Sequence, residues 1–372
     1  MSGGASNSAS VHLGFSASYF DARTKFLADA QVQGLALESH PHPEAGRDGE
    51  ALAMDVALDG PAHAENLLIV SSGCHGVEGY CGSGVQVNAL RDAPWRAYAR
   101  ERGVSVLYIH ALNPYGFSHL RRVTHENVDL NRNFHDFGAP LPRNDAYRTV
   151  HALMLPEQWP PTPQNQAAIA AYLADKGMAA LQAAVTGGQY EFSEGMFFGG
   201  KAPSWSNQTL RAVLRKHGAQ AKRIAWIDIH TGLGPNGVGE RIFAGPNDPA
   251  QIARTRKWWD GGGKTPVTSI YDGSSSSALL SGLMWSSAAQ ECPQAQPTGI
   301  AMEYGTVPMM QVLEALRAEQ WLHMHNEAPP ALAQQIKRDF LAAFYTDTDL
   351  WRSQIVAQAR EALFQAVDGL SG

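Results

Sequence analysis

The chain has 372 residues, of which 44% are hydrophobic and 17% are charged, and this composition excludes a disordered or fibrous protein. A formal net charge of -6 and the absence of a basic stripe argue against a nucleic-acid partner. Three cysteines at irregular spacing are too few for a disulfide framework. The length suits one large α/β domain with insertions or two smaller domains.

The sequence also predicts the compartment. The first ten residues lack the basic and apolar regions of a signal peptide. No apolar run approaches the roughly 20 residues that span a bilayer. We therefore expect a cytoplasmic protein without a membrane partner.

Helical and strand patterns alternate from the start of the chain. Residues 18–33 predict an amphipathic helix, and residues 35–40 and 52–58 predict two strands that a polar turn at 42–49 separates. The apolar run 67–70 is typical of a strand buried on both faces of a parallel sheet. Further strands are expected at 104–110, 223–229 and 300–303, and further helices at 84–91, 164–176, 178–185, 209–217 and through most of 308–370.

This alternation predicts an α/β fold, a mostly parallel mixed sheet with helices on both faces. Between residues 135 and 200 the pattern loosens around several prolines, which indicates an insertion. We expect a single domain over residues 1–372, with a catalytic core at about 60–310 and a helical C-terminal segment at 308–372.

Polar side chains follow three of the predicted strands. His75 and Glu78 lie in the turn after the first apolar strand, His230 follows another strand, and Glu303 ends the last one. Ligand sites in α/β sheets gather at these carboxyl ends. Catalytic zinc needs three protein ligands and an open position, and His75, Glu78 and His230 supply that number. Alone, the His-x-x-Glu motif is also compatible with a surface loop, and a lone histidine such as His230 is also compatible with a buried core residue.

The remaining polar groups suit the hydrolysis of an amide bond. Glu303 can accept a proton from the attacking water, and Arg122 can stabilise a tetrahedral oxyanion. Asn131 and Arg132 can bind a substrate carboxylate, because the guanidinium group pairs bidentately with carboxylates. Asp228 is open to two interpretations, a partner of His230 or an ordinary buried aspartate.

Two other enzyme classes are disfavoured. Gly232-x-Gly234-x-x-Gly237 matches the dinucleotide fingerprint, but the following residues 238–244 are extended rather than helical. The serine-rich residues 274–277 contain no Gly-x-Ser-x-Gly elbow, which disfavours a serine hydrolase.

As a set, these motifs resemble the zinc carboxypeptidase (funnelin-like) metallopeptidase family, particularly its small cytosolic bacterial branch. The similarity covers about residues 60–310. The motifs occur in the family's order: His75-x-x-Glu78, Asn113-Pro114-x-Gly116, Asp129-x-Asn131-Arg132, His230 and Glu303.

The resemblance implies one zinc ion per chain, held by His75, Glu78 and His230. It further implies that Asp129 orients His75 and that Glu303 is the general base. In the substrate site, the oxyanion arginine would be Arg122, with Arg121 as the competing assignment. The substrate carboxylate would be bound by Asn131 and Arg132, and Tyr271 would cap the substrate.

The expected activity is a zinc carboxypeptidase-type hydrolase that cleaves an amide or peptide bond next to a free carboxylate. One rival is an N-acyl-amino-acid deacylase of the desuccinylase or aspartoacylase type. Such relatives usually carry a C-terminal β domain, whereas residues 308–372 read as helical. A second rival is a binding protein that retains zinc without turnover. The expected partner is accordingly a small peptide or an N-acyl amino acid.

Overall fold

The computed structural model describes residues 11–372, so Met1–Ser10, to which the signal-peptide prediction refers, lie outside it. Eight strands are β1 (Ala36–Ala45), β2 (Ala51–Asp59), β3 (Asn66–Ser72), β4 (Val104–His110), β5 (Arg223–Asn236), β6 (Gly239–Phe243), β7 (Val267–Ser269) and β8 (Gln296–Gly305).

The α-helices among these residues are α1 (Tyr19–Val32), α2 (Gly79–Arg91), α3 (Ala93–Glu101), α4 (Pro114–Ser118), α5 (Asp145–Met154), α6 (Pro163–Lys176), α7 (Met178–Thr186), α8 (Trp205–His217), α9 (Pro249–Trp259), α10 (Ser286–Glu291), α11 (Met309–Met324), α12 (Pro330–Phe344) and α13 (Asp349–Ser371). None of these helices has both the length and the apolar character needed to cross a membrane.

The strands form one sheet in the order β1-β2-β4-β3-β5-β8-β6-β7. Its centre is parallel, because β4, β3, β5 and β8 pair in the same direction. The pairs β1–β2, β2–β4 and β6–β8 are antiparallel. The predicted mixed sheet with a parallel centre is therefore confirmed.

Both faces of the central sheet are buried, which explains the unbroken apolar run of β3. Leu68 and Val70 belong to one hydrophobic cluster, to which α1, α2 and α13 contribute. Their neighbours Leu67 and Ile69 belong to a second cluster on the opposite face, which includes side chains of α8. Successive side chains of a strand point to opposite faces, so helices cover both sides of the sheet, as predicted.

Two segments outside the sheet frame the site. Helices α5, α6 and α7 lie within the predicted insertion and pack around a cluster of their own that includes Tyr147 and Leu181. At the C-terminal end, α11, α12 and α13 occupy the segment predicted to be helical. Leu313 and Leu316 of α11 pack against the insertion cluster.

Two strands run further than the sequence suggests. The predicted turn at 42–49 is wrong in its first half, because β1 continues to Ala45 through Pro41 and Pro43. β1 is an edge strand, where a residue without an N–H group can be accommodated. Likewise β5 continues past His230 to Asn236, with an irregularity in its pairing with β8 after Gly232.

Candidate metal centre

The turn after β3 carries two of the predicted ligands. Gly73 begins the turn with φ +66, a left-handed conformation that favours glycine. His75 follows, and Glu78 ends a single 3-10 turn, Gly76–Glu78, that leads directly into α2. At Gly76 a Cβ atom would lie 2.0 Å from the carbonyl carbon of Gly116, so only glycine permits α4 to approach this closely. The turn thereby brings an imidazole and a carboxylate to the carboxyl edge of the sheet.

Strands β5 and β8 bring two further groups to the same place. His230 of β5 lies opposite Glu303 of β8 in the parallel register. Both residues line one cavity together with His75, Glu78 and Arg122. The segments around residues 75, 122, 230 and 303 therefore meet at this cavity.

The donor atoms of His75, Glu78 and His230 face one another. His75 Nδ1 lies 2.8 Å from Glu78 Oε1, His230 Nδ1 lies 2.9 Å from Glu78 Oε2, and the two Nδ1 atoms are 3.3 Å apart. Two ligands of one tetrahedral zinc ion lie about 3.3 Å apart, given bond lengths near 2.0–2.1 Å. All three side chains are buried. The two nitrogens and the carboxylate thus fit a zinc ion and leave a fourth position for another ligand.

Carboxylates face the outer nitrogens of both imidazoles. His75 Nε2 lies 3.5 Å from Asp129 Oδ1, and His230 Nε2 contacts Asp228 Oδ2. Carboxylates in this position usually fix the orientation of a metal-bound histidine and raise its basicity. The contact with His230 is consistent with the first of the two interpretations of Asp228, a partner of that histidine.

The electrostatics of the ligands agree with a cation-binding centre. Burial opposes ionisation of Glu78, but the two neighbouring imidazoles outweigh it and lower its pKa. Burial also opposes protonation of His230, yet Asp228 and Glu78 raise its pKa. For Asp129, burial is outweighed chiefly by Arg122 and Arg132, which lower its pKa. Glu78 and Asp129 therefore stay ionised despite their burial.

Glu303 has a different environment from Glu78. Its Oε1 accepts a hydrogen bond of 2.9 Å from the backbone N–H of Leu233. Burial, followed by the negative charge of Glu78, raises the pKa of Glu303 to about 7. A carboxyl group with a pKa near neutrality can both accept and return a proton.

Of the two adjacent arginines, only Arg122 lines the cavity. Its Nε donates to Asp129 Oδ2 at 2.9 Å, and its Nη2 lies 2.7 Å from His75 Nε2. The ring of Phe197 lies beneath it, 4.8 Å from the guanidinium carbon. Arg121 instead donates to the buried carboxylate of Glu319. The geometry favours Arg122 for contact with a substrate.

Asn131 and Arg132 also line the cavity, but both make internal hydrogen bonds. Asn131 Oδ1 accepts from Met284 N at 3.1 Å. Arg132 donates through Nε and Nη2 to the carbonyl of Thr186, and through Nη1 to the carbonyl of Asn131. Burial lowers the pKa of Arg132. Three of the five N–H groups of Arg132 are thus engaged, and two remain for a ligand.

Most of the remaining wall of the cavity is apolar, and this wall was not predicted. The cavity has a volume of about 120 Å³. Its apolar side chains come from the insertion, the sheet, the segment before α10 and α11, and they include Leu181, Val185, Ile242, Leu283, Trp285 and Leu313. No local motif marks these residues, because an apolar wall has the same sequence signature as an ordinary core.

Of the residues predicted to bind the substrate, Tyr271 is the one that does not line the cavity. Its hydroxyl group donates to the carbonyl of Gly245 at 2.7 Å, and its ring packs near Phe243. The preceding residue, Ile270, lines the cavity instead. A capping role for Tyr271 stays a prediction that requires this hydrogen bond to break.

The family model described as "Protein of unknown function (DUF2817)" matches residues 15–358, nearly the whole described chain. The chain belongs to this family. A search of curated proteins found no match for this member of the DUF2817 family.

Solved structures show which fold this DUF2817 protein shares. Bovine thrombin-activatable fibrinolysis inhibitor, in complex with tick carboxypeptidase inhibitor, is 10% identical with a TM-score of 0.52, over 96% of this chain and 98% of that chain. A second structure of thrombin-activatable fibrinolysis inhibitor is 11% identical with a TM-score of 0.52, over 95% and 74%. Carboxypeptidase A from Helicoverpa armigera is 13% identical with a TM-score of 0.43, over 88% and 73%. The fold is zinc carboxypeptidase-like, as the sequence resemblance implied.

Proposed function

We propose that this protein is a zinc-dependent hydrolase that cleaves an amide or peptide bond next to a free carboxylate. The observation that carries the proposal is the arrangement of His75, Glu78 and His230, whose inner atoms suit one zinc ion. A carboxylate on each outer nitrogen supports the same proposal, since metal-bound histidines usually have such a partner. When bound, zinc would polarise the carbonyl group and lower the pKa of a water molecule.

The other side chains then have distinct roles. Glu303 takes a proton from the attacking water as general base and returns it to the leaving amine as general acid. Arg122 donates hydrogen bonds to the oxyanion that develops on the carbonyl oxygen. Asn131 and the two free N–H groups of Arg132 bind the substrate carboxylate.

Two rival functions are distinguishable. An N-acyl-amino-acid deacylase would use the same residues on a different acyl group, and the helical segment after β8 supports the peptidase modestly. A binding protein without turnover would not require Glu303. We further expect the protein to act in the cytoplasm on a small substrate.

The test is a hydrolysis screen of blocked dipeptides beside N-acyl amino acids, with zinc present and after chelation. The proposal predicts cleavage that chelation abolishes and zinc restores. Faster cleavage of N-acyl amino acids would select the deacylase. Full activity of the metal-free protein would exclude the zinc mechanism.

A further inference from the structure

The short turn at residues 119–122 connects Arg122, the proposed oxyanion arginine, to the metal-binding turn, which is the segment 75–78 that carries His75 and Glu78. The carbonyl of Arg121 accepts a hydrogen bond of 2.9 Å from Val77 N, and that of Arg122 accepts one of 3.0 Å from Gly76 N. Both donors belong to the 3-10 turn that ends at Glu78. The backbone that carries Arg122 and the backbone that carries two metal ligands therefore form one hydrogen-bonded unit.

The same turn is held from the other side by the C-terminal helices. The Nζ atom of Lys337, on α12, donates to the carbonyls of His119 at 3.0 Å and Leu120 at 3.1 Å. Lys337 also pairs with Glu319 of α11 at 2.8 Å. Glu319 Oε1 in turn accepts from Arg121 Nε at 2.8 Å. Four consecutive carbonyls are thus anchored, two by Lys337 and two by the metal-binding turn.

Arg121 and Glu319 are buried beside the site, the Lys337 side chain is 28% exposed, and none of the three lines the cavity. Arg121 and Glu319 are each only 3% exposed. A buried ion pair is weak grounds for a stabilising role, because desolvation offsets much of the attraction. The network acts instead on the geometry of the turn. Lys337 binds the carbonyl of Leu120, which is held at φ +50, a conformation that a leucine rarely adopts. The anchored turn fixes where the Arg122 side chain begins.

We propose that Lys337 and Glu319 are positioning residues, which hold the 119–122 turn and through it Arg122 and the metal-binding turn. The proposal assigns a role in the site to helices α11 and α12. The effect of this positioning on kcat rests on the proposed function, whereas its effect on the stability of the backbone hydrogen bonds at Gly76 and Val77 does not.

The structural consequence is tested with Lys337→Met, which leaves the Arg121–Glu319 pair intact and electrically balanced. We expect the amides of Gly76 and Val77 to exchange hydrogen roughly tenfold faster in metal-free protein, because their acceptor turn is loosened. Arg338→Met is the matched control, since that neighbouring side chain is exposed and bonds to Gln335 of its own helix. Unchanged exchange at these amides in folded Lys337→Met protein would overturn the proposal.

The kinetic consequence is tested with a double-mutant cycle. Lys337→Met should lower kcat by roughly 10–100-fold with little change in KM, because a displaced Arg122 acts on the transition state. In an Arg122→Ala background, Lys337→Met should have almost no further effect on kcat. In the protein that keeps Arg122, Lys337→Arg should retain part of the rate that Lys337→Met loses. A full effect of Lys337→Met without Arg122 would overturn the role through Arg122. Absence of zinc-dependent hydrolysis in the native protein would refute the proposed function, while the exchange experiment would still decide the inference.

Discussion

Two carboxylates of the site differ in what surrounds them. Glu78 lies between two imidazoles, whereas Glu303 receives a hydrogen bond from Leu233 N and has a pKa raised to about 7. We predict that Glu303→Gln keeps its zinc and its KM while kcat falls by roughly 10²–10⁴-fold, because an amide cannot accept the proton. Zinc content measured beside steady-state kinetics tests this prediction.

Glu78→Gln is the matched comparison, since it makes the same chemical change in the other carboxylate. We expect it to lose zinc and to recover part of its activity in excess metal. If Glu303→Gln loses the metal and Glu78→Gln keeps it, the two roles are exchanged. A fully active Glu303→Gln protein would exclude Glu303 as the base.

Asp129 contacts three parts of the site. Its carboxylate lies 3.5 Å from His75 Nε2 and accepts hydrogen bonds from Arg122 Nε and Asn131 N. We predict that Asp129→Asn weakens zinc affinity by roughly 10–100-fold. A neutral amide orients the imidazole of His75 less firmly than a carboxylate does and raises its basicity less. A competition titration with a zinc-sensitive chelator measures the affinity. Asp136→Asn, in an exposed turn, is the control. Equal zinc affinities in the two variants would exclude a role of Asp129 in zinc binding.

The sequence predicts three candidate ligands that the structure brings together, but it predicts less about the side chains that contact them. His75 and Glu78 share one turn, so their proximity follows from spacing alone. The partner of His230 could not be chosen, because Asp228 has the same pattern as any buried polar residue of a strand. Arg121 and Arg122 are adjacent in sequence, and only their tertiary contacts separate them.

Among the elements, the central strands were the most predictable. β3 and β4 are buried on both faces and therefore read as unbroken apolar runs. β7 has only three residues and was missed, since so short a strand has no periodicity. The apolar wall that α7 contributes to the cavity was also missed, because which core a helix faces depends on distant segments.

Helices α11 and α12 carry a charge network whose contribution to stability depends on pH. Burial raises the pKa of Glu319, but Arg121 and Lys337 outweigh it and lower the pKa to about 2. Because the folded pKa is below the unfolded value near 4.5, the contribution is complete above that value and is lost as pH falls towards 2. Glu319 therefore stabilises the fold at neutral pH and loses this effect in acid.

We predict that Glu319→Gln lowers the free energy of unfolding by about 3 kcal/mol at pH 7, because the buried Arg121 and the partly exposed Lys337 lose their shared anion. The difference from the native protein should shrink by about half by pH 3. Urea unfolding at both values measures it. Glu314→Gln is the control, since that carboxylate is half-exposed and pairs within its own helix. A difference that is independent of pH would contradict the pairing of Glu319.

At the scale of the whole molecule, the proposed metal joins segments that are far apart in the chain. His75 follows β3 and His230 lies in β5, 155 residues later, and the two strands are neighbours at the centre of the sheet. Since an unfolded chain does not hold these ligands together, zinc should bind the folded state preferentially. A metal that binds only the folded state stabilises it by about 2.7 kcal/mol at 100 times its Kd.

We therefore predict that chelation lowers the melting temperature of the native protein and that added zinc restores it. The shift should be absent from His230→Ala, which lacks one ligand. Thermal unfolding at several zinc concentrations measures the effect. A melting temperature that does not depend on zinc would indicate that the folded state has no specific site.

The central claim is the identity of the three ligands, and a zinc titration of metal-free protein with measured stoichiometry tests it most directly. Cys74, Asp228 and His230 form a second buried group with donors within 4.8 Å, so Cys74→Ala distinguishes the two sites. We predict one zinc per chain for the native protein and for Cys74→Ala, and loss of high-affinity binding in His75→Ala and Glu78→Gln. Retention of zinc by His75→Ala together with its loss from Cys74→Ala would contradict the account.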